Sequence, residues 1–182
     1  MNQLKGKEFE ALVLFRANHM ESAGILTMTR YGVQAVMMNS KLPPYKPEWQ
    51  VIKSLPDFDA CIAPSGRQLI VECKVCSQAS YPIFQNDKKH PKQIAHMMKR
   101  SEFGALCYLL VHFNARDLVK KSEAAETFGL RVAATEPFWV NQLNAAKLSL
   151  SRLDAEMYGI RVPWNLYSPR ASKLTPDLSV LI

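Results

Sequence analysis

Long apolar runs are missing from this sequence. None of its 182 residues falls in a stretch approaching the about 20 consecutive apolar positions that a bilayer-spanning helix needs. The first residues, with Lys5, Lys7, Glu8 and Glu10, lack the apolar centre of a signal peptide. No membrane partner and a cytoplasmic location are the expectations. Cysteine is sparse: Cys61, Cys73, Cys76 and Cys107 lie in or beside predicted strands, and no second pair or histidine doublet accompanies Cys73-x-x-Cys76. Buried reduced thiols are expected rather than a zinc or redox centre. Internal repeats, low-complexity tracts and linkers are also absent, so residues 1–182 read as one domain of ordinary length. Acidic residues are in deficit, 16 against 23 Lys plus Arg, giving a net charge of +7 and a pI near 9.3. That balance points to a polyanionic partner. Hydrophobic content of 48% with mean hydropathy of -0.12 is that of a globular domain with a real core.

Against this background one stretch stands out, running from Leu55-Pro56-Asp57-Phe58-Asp59 to Glu72-Cys73-Lys74. Gln68 to Val75 has the β-branched, apolar character of a buried strand, and Pro64-Ser65-Gly66 before it is turn chemistry. Alternation along that strand puts Glu72 and Lys74 on one face, with Val71, Cys73 and Val75 on the other. Residues 57–62 read as the partner strand, folded back so that an aspartate nears Glu72. Pro-Asp-Phe favours Asp57, and a gapless count back from Glu72 favours Asp59. Two carboxylates with a backbone carbonyl, that of Cys73, suit Mg²⁺ or Mn²⁺, which prefer oxygen and keep several waters. Lys74 would then hold the attacking water or balance charge on a phosphate. An ordinary cross-strand ion pair is the plain alternative for Glu72 and Lys74.

Along the chain, residues 3–22 form an amphipathic helix with Phe9, Leu12, Val13, Ala17 and Met20 on one arc. Glu10 sits at the arc's edge, either as a rim carboxylate paired with Lys7 or Arg16 or as a group serving a metal site. Thr27 to Met38 reads as a first strand, with Arg30 placed to reach phosphate. The prolines of residues 41–49 exclude helix and central strand, leaving a loop or projecting arm in which Lys41, Tyr45, Lys46, Trp49 and Lys53 interleave cations with aromatics. Asn86-Asp87 caps a helix to about Phe103 whose basic face carries Lys92, His96 and Lys99, with Gln93 and Arg100 flanking its apolar stripe. Ser80 and the cations Arg67, Lys88 and Lys89 complete the expected contacts to a DNA backbone. Ala105 to Phe113 is apolar as befits a strand covered on both faces, with His112 a structural histidine. Short elements follow near 118–121 and 130–133, then a helix from Pro137 to about Met157, an edge strand at 160–162 and an irregular basic tail with Arg161, Arg170 and Lys173.

Pro56-Asp57 followed by Glu72-x-Lys74 resembles the PD-(D/E)xK nuclease signature. Ser80-Tyr81-Pro82-Ile83, then Lys92-Gln93-Ile94-Ala95-His96-Met97, then the strand 104–113, with Gly6-Lys7-Glu8-Phe9-Glu10 at the start, is similar in order to RecU-type Holliday-junction resolvases, the penicillin-binding protein-related factor A family. The likeness spans roughly residues 6–113 and extends to 162–181. Lys92 stands where that family has histidine, and residues 42–53 leave little room for its long basic stalk. The resemblance implies a restriction-endonuclease-like α/β fold with a mixed central sheet flanked by helices, and a Mg²⁺-dependent endonuclease acting on DNA. Its implied substrate is branched four-way junctions in recombination and repair, and its implied assembly a homodimer with two symmetric sites. Asp57 and Glu72 would hold metal, Lys74 would act in catalysis, and Glu10 and Gln93 would assist. A phage or restriction-type nuclease without junction preference, or a DNA-binding protein without catalysis, are the competing expectations.

Overall fold

The chain begins with the amphipathic helix that its spacing demands. In the computed structural model, which describes residues 3–30, 34–39, 47–52, 55–83, 90–117, 122–145, 149–166 and 173–182, α1 (Gly6–Ser22) buries Phe9, Val13, Ala17 and Met20. Steps of three and four residues gather these onto one stripe. The Lys5 backbone N–H donates to Glu8 Oε2 at 3.0 Å, closing the helix start.

Next, β1 (Leu26–Arg30) alternates as a half-buried strand, with Leu26 and Met28 inside and Thr27 and Thr29 outside. The single strand expected over 27–38 is instead two elements. β2 (Gln34–Asn39) pairs antiparallel with β3 (Pro47–Ile52) in a two-stranded ladder separate from the sheet that β1 joins. Pro47 occupies the first position of β3, where a strand tolerates it, so the loop expected over 41–49 ends in a strand. Of the expected DNA contacts, Lys46 and Lys53 lie outside the described residues, as do Lys41 and Tyr45.

The central strands follow: β4 (Phe58–Ile62), β5 (Arg67–Cys76) and the short β6 (Ser80–Pro82). α2 (His90–Glu102) carries Pro91 in its first turn, where a missing N–H costs nothing. The Asn86-Asp87 cap and Lys88 and Lys89 lie outside the described residues. β7 (Leu106–Phe113) is buried at every position, as its composition requires. β8 (Arg116–Asp117) and β9 (Ser122–Glu123) pair with each other, and β10 (Glu126–Arg131) returns beside β7.

The helix expected from Pro137 to Met157 is broken into α3 (Pro137–Ala145) and α4 (Arg152–Tyr158), with β11 (Ser149–Ser151) between them pairing β6. Ser151 is the reason. Its hydroxyl accepts from the Asp154 N–H at 3.1 Å while its own N–H donates to Asp154 Oδ2 at 2.9 Å, a reciprocal cap that starts a new helix. β12 (Ile160–Arg161) is the expected edge strand. The described residues of the tail are regular where an irregular tail was expected: β13 (Trp164–Leu166) pairs β14 (Leu174–Pro176), and a 3₁₀ turn over Leu178–Leu181 buries Leu178 and Leu181 in the α1 core, while Arg170 lies outside the described residues. Arg16 of α1 anchors this turn by donating to Asp177 Oδ1 at 3.0 Å.

The main sheet has six strands in the order β1-β4-β5-β7-β10-β12; β5 and β7 run parallel and the other neighbours antiparallel. Its two faces carry separate cores. Leu69, Val71, Cys73, Tyr108 and Leu110 face α1 and the tail, whereas Ile70, Cys76, Cys107, Leu109 and Val111 face α2, α3 and α4. The result is the expected α/β class, a mixed central sheet flanked by helices. Among the described residues no helix is long and apolar enough to cross a membrane.

Candidate functional site

β5 outruns its neighbour, and that overhang creates the site. β4 pairs with β5 only from Val71 back to Arg67, while β7 follows β5 on to Cys76. From Glu72 onward the β4 side of β5 therefore lacks a ladder partner among the described pairings. Asp57, one residue before β4, supplies one: its Oδ2 accepts from the Cys73 N–H at 2.8 Å, and its own N–H donates to Glu72 Oε2 at 3.0 Å. Within an extended strand the Cys73 carbonyl shares the direction of its N–H, towards this same opening.

Glu72 is only 1% exposed, although it is a carboxylate. Lys74, two residues on and hence on the same face, pairs with Glu72 Oε1. From α2, Gln93 bridges the Leu55 carbonyl and Glu72 Oε2, each at 3.0 Å. Burial pushes the Glu72 carboxyl up to about 7, with the Asp57 charge adding to the rise and Lys74 opposing it. Glu10 of α1 pairs with Arg30 of β1 rather than with Lys7 or Arg16, and Arg30 stays half-exposed. Burial and the charge of Asp57 raise the Glu10 carboxyl, against Arg30 and Lys74. Three carboxylates and two cations thus share one electrostatic neighbourhood.

Asp59 lies elsewhere. It sits on the Glu72 face opposite Ile70, but both its oxygens accept from Gln68 Nε2, at 2.8 and 2.7 Å. The overhang thus brings Asp57, and not Asp59, to Glu72. Among the described residues no group of three or more His, Cys, Asp or Glu side chains is arranged to hold a metal ion. The oxygen donors of Asp57, Glu72 and the Cys73 carbonyl nonetheless match what Mg²⁺ prefers.

The expected DNA contacts are dispersed. Lys92 and Lys99 are exposed on α2, and Ser80 is half-buried in β6 opposite Ser151. Arg67 begins β5, seven residues and roughly 23 Å of strand from Lys74, and donates to the Gly104 carbonyl at 3.0 Å. His96 is half-buried, lowered by burial and by Arg100 rather than simply solvated. His112 is structural. It is buried, its Nδ1 lies 2.8 Å from Thr127 Oγ1, and its ring packs between Phe9 and Trp164. The contacts that Leu55, Gln68 and Arg100 make were not legible in the sequence, since they are long-range and have no local signature. Cys73 and Cys76 face opposite cores and cannot share an ion, and burial holds both thiols above the ordinary value.

Fold and site together define an α/β protein with a buried carboxylate–lysine centre at an overhanging strand of a mixed sheet. Among solved structures the chain is similar to Hjc of Archaeoglobus fulgidus, a Holliday junction resolvase from an archaeal hyperthermophile, at 16% identity and a TM-score of 0.46, over 86% of this chain and 95% of that one. No family model matches the sequence, and no curated protein matches it.

Proposed function

We propose that this protein is a metal-dependent DNA endonuclease whose centre is Asp57, Glu72 and Lys74. The observation that carries the reading is the burial of Glu72 beside a second carboxylate and a lysine. Removing a carboxylate from water is costly, and this one gains no full compensation from its partners, as its raised pKa records. Such groups concentrate where chemistry needs them.

Asp57, Glu72 and the Cys73 carbonyl would hold Mg²⁺, with Mn²⁺ able to replace it; when bound, the ion activates water and polarises a phosphoryl oxygen. The side chains do the rest. Gln93 and the Asp57 amide fix the Glu72 carboxylate in one orientation, and Lys74 offers ammonium donors to the nucleophilic water or to charge developing on the phosphate. Arg30, half-exposed and tied to Glu10, would grip a neighbouring phosphate. Lys92 and Lys99 on the exposed side of α2 add cationic surface.

The motif order along residues 6–113 supports a finer reading: a four-way junction as substrate, cut symmetrically by a homodimer during recombination and repair. End-labelled four-way junctions and linear duplexes of matched sequence test both levels. Wild type should cut the junction at two symmetric positions only with Mg²⁺, and in preference to duplex. Glu72→Gln and Lys74→Met should each lower the rate by roughly 10²-fold or more. Equal cutting of both DNAs would leave the nuclease and remove the junction preference. Metal-independent binding without any cleavage would make this a DNA-binding protein instead.

A further inference from the structure

Arg30 is the last residue of β1 and pairs in register with Phe58, the residue after Asp57. Phe58 is buried in the core on the α1 side of the sheet, and strand partners share a face, so Arg30 projects into the α1 layer. There it donates to Glu10, which follows the buried Phe9 on α1. The two ends of this pair differ. The Arg30 side chain is 53% exposed and that of Glu10 only 18%, so the cation faces solvent while the acid faces inward. Inward lies the centre: the charges of Asp57 and Lys74 act on Glu10 together with that of Arg30. They reach it from across the sheet because β4 stops pairing with β5 at Val71, which leaves Glu72 and Cys73 without a β4 partner.

Electrostatics makes this arrangement sensitive to what Arg30 holds. Counted formally, three carboxylates, Glu10, Asp57 and Glu72, stand against two cations, Lys74 and Arg30, which leaves one uncancelled negative charge. Every positive charge near the acids opposes the entry of a divalent cation, and an arginine tied to Glu10 also occupies an oxygen that a metal could use. An exposed guanidinium has a stronger partner available in a DNA phosphate, which is always ionised and matches the two-pronged donor geometry of arginine. Once Arg30 turns to a phosphate, the centre carries two uncancelled charges and Glu10 has both oxygens free.

We propose that Arg30 couples DNA binding to metal binding: in the free protein it holds Glu10 and weakens the metal site, and a DNA phosphate draws it away, freeing Glu10 to join the acids that hold the ion. The inference rests on the metal-dependent hydrolase reading and assigns the regulation of that same site. Arg30 is then a positioning residue that acts through Glu10. Linkage is reciprocal, so a bound metal tightens DNA by the same factor.

Two measurements on the full chain test it. The first is Mn²⁺ binding without DNA, read from the paramagnetic resonance of the free ion. Arg30→Gln should bind Mn²⁺ roughly tenfold more tightly than wild type, Arg30→Lys, which keeps the charge, should stay near wild type, and Glu10→Gln should bind it more weakly. In the Glu10→Gln background, Arg30→Gln should tighten Mn²⁺ by a smaller factor. The second is the Mg²⁺ concentration that gives half-maximal cleavage of a four-way junction, taken with DNA well below and well above its KM. Saturating DNA should lower it roughly tenfold in wild type. In Arg30→Gln it should be the same at both DNA levels, while KM for DNA rises. Equal Mn²⁺ affinity in wild type and Arg30→Gln, or a Mg²⁺ requirement independent of DNA in wild type, would overturn the coupling and leave the hydrolase standing. Equal tightening with and without the Glu10 carboxylate would also overturn it, because Arg30 would then act by charge alone. Absence of Mn²⁺ binding in wild type and every variant would instead sink the hydrolase reading itself, and the coupling with it.

Discussion

Glu72 stores free energy that the fold would do better without. Its carboxyl titrates near 7 in the folded chain against an ordinary 4.5, so between these values the folded state holds a proton that the unfolded state has released. The contribution of Glu72 to stability is therefore greatest below about pH 4.5, falls as pH rises, and reaches its full deficit above about 7. Glu72→Gln, which mimics the neutral acid, should be more stable than wild type at pH 8 by up to about 3 kcal/mol, with the difference vanishing near pH 4.5. Urea denaturation of the metal-free proteins at both pH values measures it. A variant less stable than wild type at pH 8 would mean that the pairing with Lys74 outweighs burial. The residues of this centre were legible where strand alternation sufficed, since it puts Glu72 and Lys74 on one face whatever surrounds them. Alternation could not separate Asp57 from Asp59, which share that face. The choice came from where β4 stops pairing, a property of the register between two strands.

At the scale of elements, local chemistry in the sequence was sometimes overridden by a broader pattern. The apolar residues of 137–157 suggest a single helix, although Ser151-x-x-Asp154 is a capping-box signature in the middle of that span. The structure follows the cap: α4 starts at Arg152, and Leu150 is fully buried in the short strand before it. Ser151→Ala removes the hydroxyl that accepts from the Asp154 N–H and should cost about 1 kcal/mol. Ser151→Asn, which can still cap, should restore most of it. Equal loss in both variants by thermal denaturation would show that the cap is incidental and that the β6–β11 pairing alone sets the break. Other elements were readable without help. β7 is apolar at nearly every position because both its faces are covered, and α1 keeps its stripe because one face alone is. β3 was not readable, since the prolines of 41–49 argued against a central strand there, and β2 was read as the end of one strand over 27–38.

For the molecule as a whole, the expected class emerged because strand, helix and strand follow one another across β5, α2 and β7, which brings parallel strands into a sheet with helices on its faces. What ties the distant parts together was hidden. His112 of β7 packs against Phe9 of α1 and Trp164 of the tail, and Thr127 Oγ1 accepts from Trp164 Nε1 at 2.7 Å, leaving its own hydrogen for His112 Nδ1. Burial, with Arg152 nearby, drives the imidazole down to about 4. A folded pKa below the unfolded 6.5 means that the unfolded chain binds the extra proton between these values. The stability that neutral His112 lends is complete above about pH 6.5, declines as pH falls, and is gone below about 4. The loss should amount to about 3 kcal/mol between pH 7 and 4, shared by every region this histidine joins. The slope of unfolding free energy against pH in wild type and His112→Gln checks it: the variant should be flatter by that amount across this window, and parallel curves would refute the assignment.

The overhang of β5 has one more implication. Its rear rail, β7, is sealed in the interior, whereas its front rail is a short loop ending in one aspartate. Mutation can rework that loop without unseating the hydrophobic layers behind it. This is the kind of location where a lineage could exchange one chemistry for another while the scaffold persists.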